Sequence, residues 1–372
     1  PDCGVRRCCG RQQPQGGRRC SPMGCGGSKD GNAAGGNSAS GERDKNKDPL
    51  VVDASNSHPQ NALSYFSLQH AAIRELNVSQ CELRAPLPAA IAELRSLIKL
   101  DLSQNKLEEL PAELGKCISL TLLDVNDNQL KTLPAELGQL TKLEKLLAYK
   151  NTIGSLPAEL GKLAALSELN LFNNKVLKMP PELGALAEAS EVNFAANKVM
   201  QVPAEAIKDW TSTTVLNLYD NRIVRMAGIG HMQKLEELRL FGNQLQEVPS
   251  IGPGLPSLRI LELHKNAITQ LPEDFFTLLP ELKKVTLGDN KLTALPSSVG
   301  ASGLESLLVE GNQLAEVPEF VASMPALQAR RPTLLPSPPD DLASGVSHPT
   351  KNPPHNTLPS QPSHPPLAPL RP

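Results

Sequence analysis

Histidines are the side chains in this sequence best suited to acid–base or metal chemistry, and their spacing favours neither. Four of the seven lie near the two ends of the chain, and the others, His70, His231 and His264, are far apart in sequence. The sequence contains no phosphate-binding loop, no G-x-S-x-G nucleophile motif and no dinucleotide fingerprint. We therefore predict a protein that is not an enzyme and needs no cofactor.

Cysteines are concentrated at the start of the chain. Five of the seven are Cys3, Cys8, Cys9, Cys20 and Cys25. They include no C-x₂-C pair, the spacing that most often holds zinc, so no metal site is predicted. The two remaining cysteines, at positions 81 and 117, do not allow disulfide-bonded end caps, which is typical of an intracellular protein.

A lipidation pattern begins at the first methionine, Met23, which precedes Gly24 and, further on, Ser28. This is the N-myristoylation pattern, and it requires Gly24 to become the first residue after the methionine is removed. Cys25 beside it is a candidate for palmitate, which would strengthen an anchor that one acyl chain holds only marginally. We predict lipidation at Gly24 and Cys25 if translation begins at Met23. Otherwise residues 1–50 are predicted to be a disordered leader or a transit peptide.

Composition and charge exclude several classes of partner. The chain has 3% aromatic residues, 34 prolines, 26 glycines and a formal net charge of -2. Because no stripe of Lys and Arg with interleaved aromatics occurs, nucleic acid is excluded. No apolar run approaches the roughly 18 residues of a membrane span, and residues 1–50 hold no apolar stretch as long as a secretory signal needs. We predict a cytoplasmic protein, held to the cytoplasmic face of a membrane where it is acylated.

An internal repeat decides the fold. The segments "LIKLDLSQNKL", "LTLLDVNDNQL" and "LEELRLFGNQL" share the pattern L-x-x-L-x-L-x-x-N-x-L, which recurs in eleven copies about 23 residues apart. The position of the Asn in each copy, the ladder position, is occupied by Cys81, Asn105, Asn128, Asn151, Asn174, Asn197, Asn221, Asn243, Asn266, Asn290 and Asn312. Positions five before, three before and two after it are apolar in every copy.

This spacing predicts how each copy folds. Apolar residues two apart place one face of a short strand inward, so stacked copies form a parallel sheet on the concave side of an α/β solenoid. The ladder Asn is expected to pair with backbone groups of neighbouring turns. A proline six residues later in most copies opens a short helical or 3₁₀ segment on the convex side, which Gly115, Gly138 and Gly161 are expected to close. Ala227 replaces that proline in the seventh copy, so we expect an irregularity near residues 221–235.

The repeat motif "LPxELGxLxxLxxLxLxxNxL", which recurs over about residues 73–327, resembles that of the plant intracellular Ras-group-related leucine-rich-repeat proteins and of their animal Ras-scaffold relatives. The layout of an acylation pattern followed by a spacer and repeats is similar to small N-myristoylated leucine-rich-repeat proteins. The resemblance implies a cytosolic, non-enzymatic leucine-rich-repeat solenoid that binds proteins, with a Ras-type small GTPase as the implied partner. It does not by itself identify what is bound.

Three regions are expected along the chain. Residues 1–60 are predicted to be a disordered segment, 61–331 the solenoid with its caps, and 332–372 a disordered Pro-rich tail. The predicted caps are the segment from Asn61, with Leu63, Tyr65, Phe66 and Leu68, and residues 318–330. The tail contains P-x-x-P-like spacings, which are either ligands for an SH3-like groove or chance.

Strand residues between the leucines are expected to face the concave side, where a partner would bind. Four of the ten Phe and Tyr residues fall in the eleven positions two before the ladder. An aromatic row with polar neighbours is typical of an interface centre, and the alternative is that the rings only pack on one another. The predicted partner-binding residues are Tyr149, Phe172, Tyr219, Phe241, His264, Asn170, Asn193, Asn217, Arg239, Lys145, Glu237 and Glu262.

The sequence therefore predicts a monomeric scaffold or adaptor of intracellular signalling that binds a protein partner. Two alternatives stay open. One is a regulatory subunit of an enzyme such as a phosphatase, and the other is a structural spacer without a specific concave ligand.

Overall fold

The computed structural model describes residues 50–67, 73–84 and 86–315. The chain divides into two units, and the second, residues 335–372, lies outside the described residues. The solenoid belongs to the first unit. The predicted C-terminal cap, the lipidation site and the Pro-rich tail also lie outside the described residues.

A twelve-stranded parallel sheet runs the length of the solenoid, with one strand for each of the eleven repeats, one further strand before the first, and neighbours in chain order. Its strands are β1 Leu50–Asp53, β2 Ile73–Asn77, β3 Lys99–Asp101, β4 Leu122–Asp124, β5 Lys145–Leu147, β6 Glu168–Asn170, β7 Glu191–Asn193, β9 Val215–Asn217, β11 Glu237–Arg239, β12 Ile260–Glu262, β13 Lys284–Thr286 and β14 Ser306–Leu308. Register keeps equivalent residues together, so that Leu100, Leu123 and Leu146 lie side by side. These leucines are fully buried in a continuous core.

Short 3₁₀ segments cover the other side of the core. In the described residues they are Ala89–Glu93, Ala112–Lys116, Ala135–Gln139, Ala158–Lys162, Pro181–Ala185, Ala204–Ala206 and Ser297–Ala301. Each follows a proline with extended backbone, for example Pro134 at φ -68° and ψ 142°. The predicted solenoid, with a concave parallel sheet and convex 3₁₀ segments, is confirmed.

The glycines of these segments have a role other than the predicted one. The 3₁₀ segment that contains Gly138 continues one residue further, to Gln139, so the glycine does not close it. A Cβ at Gly138 would lie 2.8 Å from the Cβ of Glu159 and closer still to the Glu159 carbonyl oxygen. Gly115 and Gly161 face the next repeat in the same way. Glycine is therefore required because adjacent 3₁₀ segments approach each other too closely for a side chain.

The solenoid begins earlier than the predicted residue 61. β1 pairs in parallel with β2, and Val52 lies opposite Leu76. Val52 and Ala54 are buried, and helix α1, Pro59–Ser67, places Phe66 with 1% exposure against the same core. The assignment of residues 50–60 to a disordered segment was wrong, because this short apolar strand covers the open end of the sheet. Leu63 is partly buried, whereas Leu68 lies outside the described residues.

The ladder asparagines hold successive turns together. The Asn151 side-chain amide donates to the carbonyl oxygens of Val125 (2.9 Å) and Ala148 (3.2 Å), and its Oδ1 accepts from the Leu130 backbone N–H at 2.9 Å. Each buried Asn thus satisfies backbone groups of its own turn and of the preceding one, which would otherwise lose hydrogen bonds on burial.

The residue before each ladder position has a positive φ, for example 52° at Lys150 and 51° at Asp220. The full set is Gln80, Gln104, Asp127, Lys150, Asn173, Ala196, Asp220, Gly242, Lys265, Asp289 and Gly311. Because most of these are not glycine, the conformation is imposed by the hydrogen bonds of the turn.

The expected irregularity occurs in the seventh copy. Two short strands, β8 Gln201–Val202 and β10 Arg225–Met226, form a second parallel sheet beside the main one. Beyond it, a cavity of about 480 Å³ is lined by residues that include Met226, Pro249 and Pro272. Ala227 stands where most repeats have proline, and its backbone N–H, which a proline lacks, donates to the Val202 carbonyl at 3.0 Å and supports the pairing of these two strands.

Candidate protein-binding surface

The strands place three columns of side chains on the concave side. In β5, Leu146 points into the core, whereas Lys145 is exposed and Leu147 is half-buried. The third column lies two residues before the ladder position, where each strand has just ended. We call it the aromatic column, and it consists of Ser79, Ser103, Asn126, Tyr149, Phe172, Ala195, Tyr219, Phe241, His264, Gly288 and Glu310.

Four rings of the aromatic column form a continuous stack, the ring stack: Phe172, Tyr219, Phe241 and His264. The Tyr219 and Phe241 centroids are 4.5 Å apart with planes at 8°, and those of Phe241 and His264 are 4.5 Å apart at 10°. Phe172 and Tyr219 lie 6.2 Å apart and are tilted. Such contacts stabilise the sheet by about 0.5–1.5 kcal/mol per pair beyond area burial.

A small residue allows this stack to bridge one repeat. Ala195, which follows β7 in the repeat between Phe172 and Tyr219, is fully buried and leaves room for the two rings to lean together. Tyr149 takes no part in the ring contacts among the described residues. Its ring is half-buried at the N-terminal side of the stack.

The rings are less exposed than the sequence suggested. Tyr149, Phe172, Tyr219 and Phe241 are all half-buried. Because stacking covers the ring faces, truncation of the stacked rings should lower folding stability as well as partner binding. The remaining exposed area of each ring is available to a partner.

Burial also affects the titratable members of the stack. Burial raises the pKa of the Tyr219 phenol and Asp220 raises it further, against the opposing effect of Arg239. Burial lowers the pKa of the His264 imidazole, so the ring is neutral at pH 7. Its Nδ1 lies 2.9 Å from the Thr286 hydroxyl. The stack therefore presents uncharged rings at neutral pH.

Charged side chains flank the ring stack in a connected network on β9 to β13. Arg239 pairs with Glu237 on its own strand, and its Nε lies 3.5 Å from Glu262 on the next. Lys284 contacts Glu262 at 2.7 Å, and Arg239 donates to the Asn217 Oδ1 at 2.9 Å. The network fixes Arg239 beside the rings. Closer to the N terminus, Lys145 on β5 and Glu168 on β6 form a separate ion pair at 2.8 Å.

Asn170 and Asn193 have a structural role that sequence reasoning missed. The Oδ1 of Asn170 accepts the backbone N–H of Phe172 at 3.2 Å, and that of Asn193 accepts the N–H of Ala195 at 3.0 Å. These bonds shape the end of the strand and set the direction of the residues that follow. Both side chains are half-buried, so they remain beside the ring stack.

An acidic region at the N-terminal side of the concave face was also missed. Asp101 and Asp124 occupy the equivalent column on β3 and β4. Burial raises the Asp124 pKa, and the Asp101 charge raises it further, although hydrogen bonds from Asn126 oppose this. The sequence carries the signal for this region, because both aspartates stand four residues before the ladder position, in the same column as Asn170 and Asn193.

In the part of the chain that the structure describes, no three or more His, Cys, Asp or Glu side chains cluster so that they could hold a metal ion. Nor is any helix of these residues long and apolar enough to cross a membrane.

Family models agree with this geometry. A leucine-rich repeat region model matches residues 55–208, a leucine rich repeat model 256–314, and a model of two leucine rich repeat copies 233–278. The chain is a leucine-rich-repeat protein. Such proteins generally mediate protein–protein interaction.

Curated relatives match this leucine-rich-repeat protein over limited segments. Bovine osteomodulin (Bos taurus) is 33% identical over 117 residues, which cover 30% of this chain and 27% of osteomodulin. Leucine-rich repeat-containing G-protein coupled receptor 5 of Xenopus tropicalis is 33% identical over 27% of this chain and 12% of the receptor. The chain thus spans about a quarter or less of the length of these relatives.

Solved structures share the fold. The plant peptide hormone receptor RGFR1 in complex with RGF2 has a TM-score of 0.59 at 24% identity, covering 70% of this chain and 47% of the receptor chain. PEPR1 with AtPEP1 gives 0.53 at 27% identity, over 70% and 42%. An internalin of Listeria monocytogenes gives 0.55 at 17% identity, over 74% and 84%.

Proposed function

We propose that this protein is a scaffold or adaptor of intracellular signalling whose concave face binds a protein partner. The observation that carries the proposal is the ring stack of Phe172, Tyr219, Phe241 and His264 beside the charged network of Arg239. Half-buried rings on a rigid sheet, bordered by charges, have the composition of an interface centre.

The geometry favours tight binding by a rigid surface. Twelve strands at about 4.8 Å spacing give a concave face about 50 Å long, enough to cover one side of a small globular protein. Because Arg239 is already held by Glu237, Glu262 and Asn217, and the rings hold one another, little side-chain freedom is lost on association. The partner is expected to bury the ring edges and pair with the network.

The class of partner is proposed from resemblance. The repeat motif resembles that of the Ras-group-related and Ras-scaffold proteins, and this resemblance implies a small GTPase of the Ras type as the partner. PEPR1 is 27% identical to this chain and its structure is a complex with AtPEP1, which supports ligand binding on this fold more broadly.

The intracellular location is part of the proposal. It is supported by the two buried free thiols, Cys81 and Cys117, which are 36 positions apart. We further propose acylation at Gly24 and Cys25, in the part of the chain outside the described residues. Myristate labelling of the chain, with Gly24→Ala as the control, tests this. An endogenous N-terminal peptide that maps upstream of Gly24 contradicts it.

A quantitative affinity capture tests the binding proposal. The wild-type chain is compared with a double variant, Tyr219→Ala with Phe241→Ala, and with a convex control, Lys116→Ala with Lys162→Ala. A specific partner should be retained by wild type and control and lost from the ring variant, with folding of each verified by circular dichroism. Identical captures from all three would favour the structural spacer, and recovery of a phosphatase activity would favour the regulatory subunit.

A further inference from the structure

An apolar row lies on one lateral edge of the solenoid, three residues after the ladder position in three consecutive repeats. Leu177 and Met200 are exposed, and Val224 is half-buried. Leu177 is 51% exposed and Met200 is 55% exposed, which makes them two of the four large apolar side chains most exposed among the described residues. The Val224 N–H donates to the Met200 carbonyl at 3.0 Å, so these repeats are in direct contact.

Basic residues border this row on both sides. Lys175, Lys198 and Arg222 lie two positions before its members, and Lys178 and Arg225 one position after the first and third. We call these five residues with Leu177, Met200 and Val224 the lateral strip.

The cations of the lateral strip carry no counter-charge of their own. None of the five forms an ion pair within the described part of the chain. On the same edge in earlier repeats, Lys106 pairs with Glu82 and Lys131 with Glu108. Asp220, two residues before Arg222, is a carboxylate in the turn beside the strip. The strip is therefore a local positive region on a chain whose formal net charge is -2.

We propose that the lateral strip docks on the surface of an anionic lipid bilayer. Aliphatic side chains that project between lysines and arginines match the interfacial pattern, in which apolar groups enter the headgroup region and cations contact anionic lipids. A protein hot spot typically uses aromatic or arginine anchors in a desolvated pocket. The strip contains no aromatic residue, and its two arginines, Arg222 and Arg225, are exposed rather than held in a pocket, so mobile headgroups fit it better than a shaped protein partner.

This docking is independent of the proposed acylation, since it rests on described residues alone. It would add a second attachment to a myristoyl chain at Gly24, which alone holds a membrane only marginally. The ring stack precedes the ladder position and the strip follows it, so a bilayer at the strip leaves the concave face available for the partner.

Vesicle co-sedimentation of the full, unacylated chain tests the inference. Vesicles of phosphatidylcholine with about one third phosphatidylserine are compared with pure phosphatidylcholine. The strip variant carries Lys175→Glu, Lys198→Glu and Arg222→Glu. Its control carries the same charge change on the convex side, at residues that form no ion pair in the described chain: Lys116→Glu, Lys142→Glu and Lys162→Glu.

Wild type and control should bind the anionic vesicles alike. The strip variant should bind at least about a hundred-fold more weakly, from roughly a factor of five for each of the three cations removed, and repulsion by the new carboxylates adds to this. Leu177→Ser with Met200→Ser, which keeps the charge and changes only exposed side chains, should lose about ten-fold. All variants share the same N-terminal arginines, so a difference between them reports on the strip.

Three results would overturn the inference. They are equal loss of binding in strip variant and control, unchanged vesicle binding by the strip variant, and no preference of wild type for anionic vesicles. Loss of a co-purifying acidic protein with unchanged vesicle binding would identify the strip as a protein-docking surface instead. Failure of myristate labelling would contradict only the acylation proposal.

Discussion

Phe241 lies between two rings, so its removal should affect both folding and binding. It stacks on Tyr219 and on His264, each at 4.5 Å and nearly parallel. At about 0.5–1.5 kcal/mol for each pair, Phe241→Ala should lower the free energy of unfolding by about 1–3 kcal/mol. Because the ring is only half-buried, no closed cavity adds to this loss.

Two other truncations calibrate this effect. Tyr149→Ala removes a ring outside the ring stack and should lower the free energy of unfolding by less than about 1 kcal/mol. Leu169→Ala opens a cavity in the core, where Leu169 is 1% exposed, and should lower it by about 2–5 kcal/mol.

Urea denaturation followed by circular dichroism at pH 7 gives the three free energies of unfolding. Partner affinity is measured separately. The binding free energy should weaken by about 1–3 kcal/mol for Phe241→Ala and for Tyr149→Ala, and little for Leu169→Ala under conditions where that variant is folded. If Phe241→Ala and Tyr149→Ala destabilise equally, the ring contacts do not stabilise the sheet. If Phe241→Ala destabilises but leaves affinity unchanged, the stack is packing alone.

The close approach of the 3₁₀ segments predicts that Gly138→Ala lowers the free energy of unfolding by about 1–3 kcal/mol, because the new Cβ meets the Glu159 backbone. Gly154→Ala, with no atom within 4 Å, should change it by under about 0.5 kcal/mol, and chemical denaturation compares the two. For Asn151→Ala, lost backbone bonds should lower it by about 2–4 kcal/mol; thermal melting unchanged from wild type would contradict this. Asp124 has a pKa raised by burial, so its ionisation opposes folding above the ordinary value of 3.8. Asp124→Asn should therefore be more stable at pH 7 and lose that advantage below about pH 4, which pH-dependent denaturation would show.

Repeat spacing was sufficient to predict the architecture. Apolar residues at fixed offsets from positions such as Asn105 and Asn128 determine which side chains are buried, and stacking then requires a parallel sheet. β1 escaped prediction because "LVVD" lies in a polar segment and carries no ladder Asn. Its role appears only when the uncovered edge of β2 is considered.

The surface was harder to predict than the core. The sequence located the aromatic column, but the ring contacts depend on the small Ala195 between Phe172 and Tyr219, a three-dimensional relation between repeats. The positive φ before each ladder position left only a weak sequence signal. Six of the eleven residues are Gly, Asn or Asp, the types that favour it, but Lys150 and Ala196 adopt it as well. The role of Gly115 also depends on the following repeat, because its neighbour is the Glu136 backbone.

Site-specific photo-crosslinking in cells tests the concave binding site most directly. A photoreactive phenylalanine replaces Phe172, within the ring stack, or Lys162, on the convex 3₁₀ segment. The account predicts a discrete protein adduct from position 172 and none from position 162. Adducts from position 162 alone, or none from position 172 in a folded chain, would contradict it.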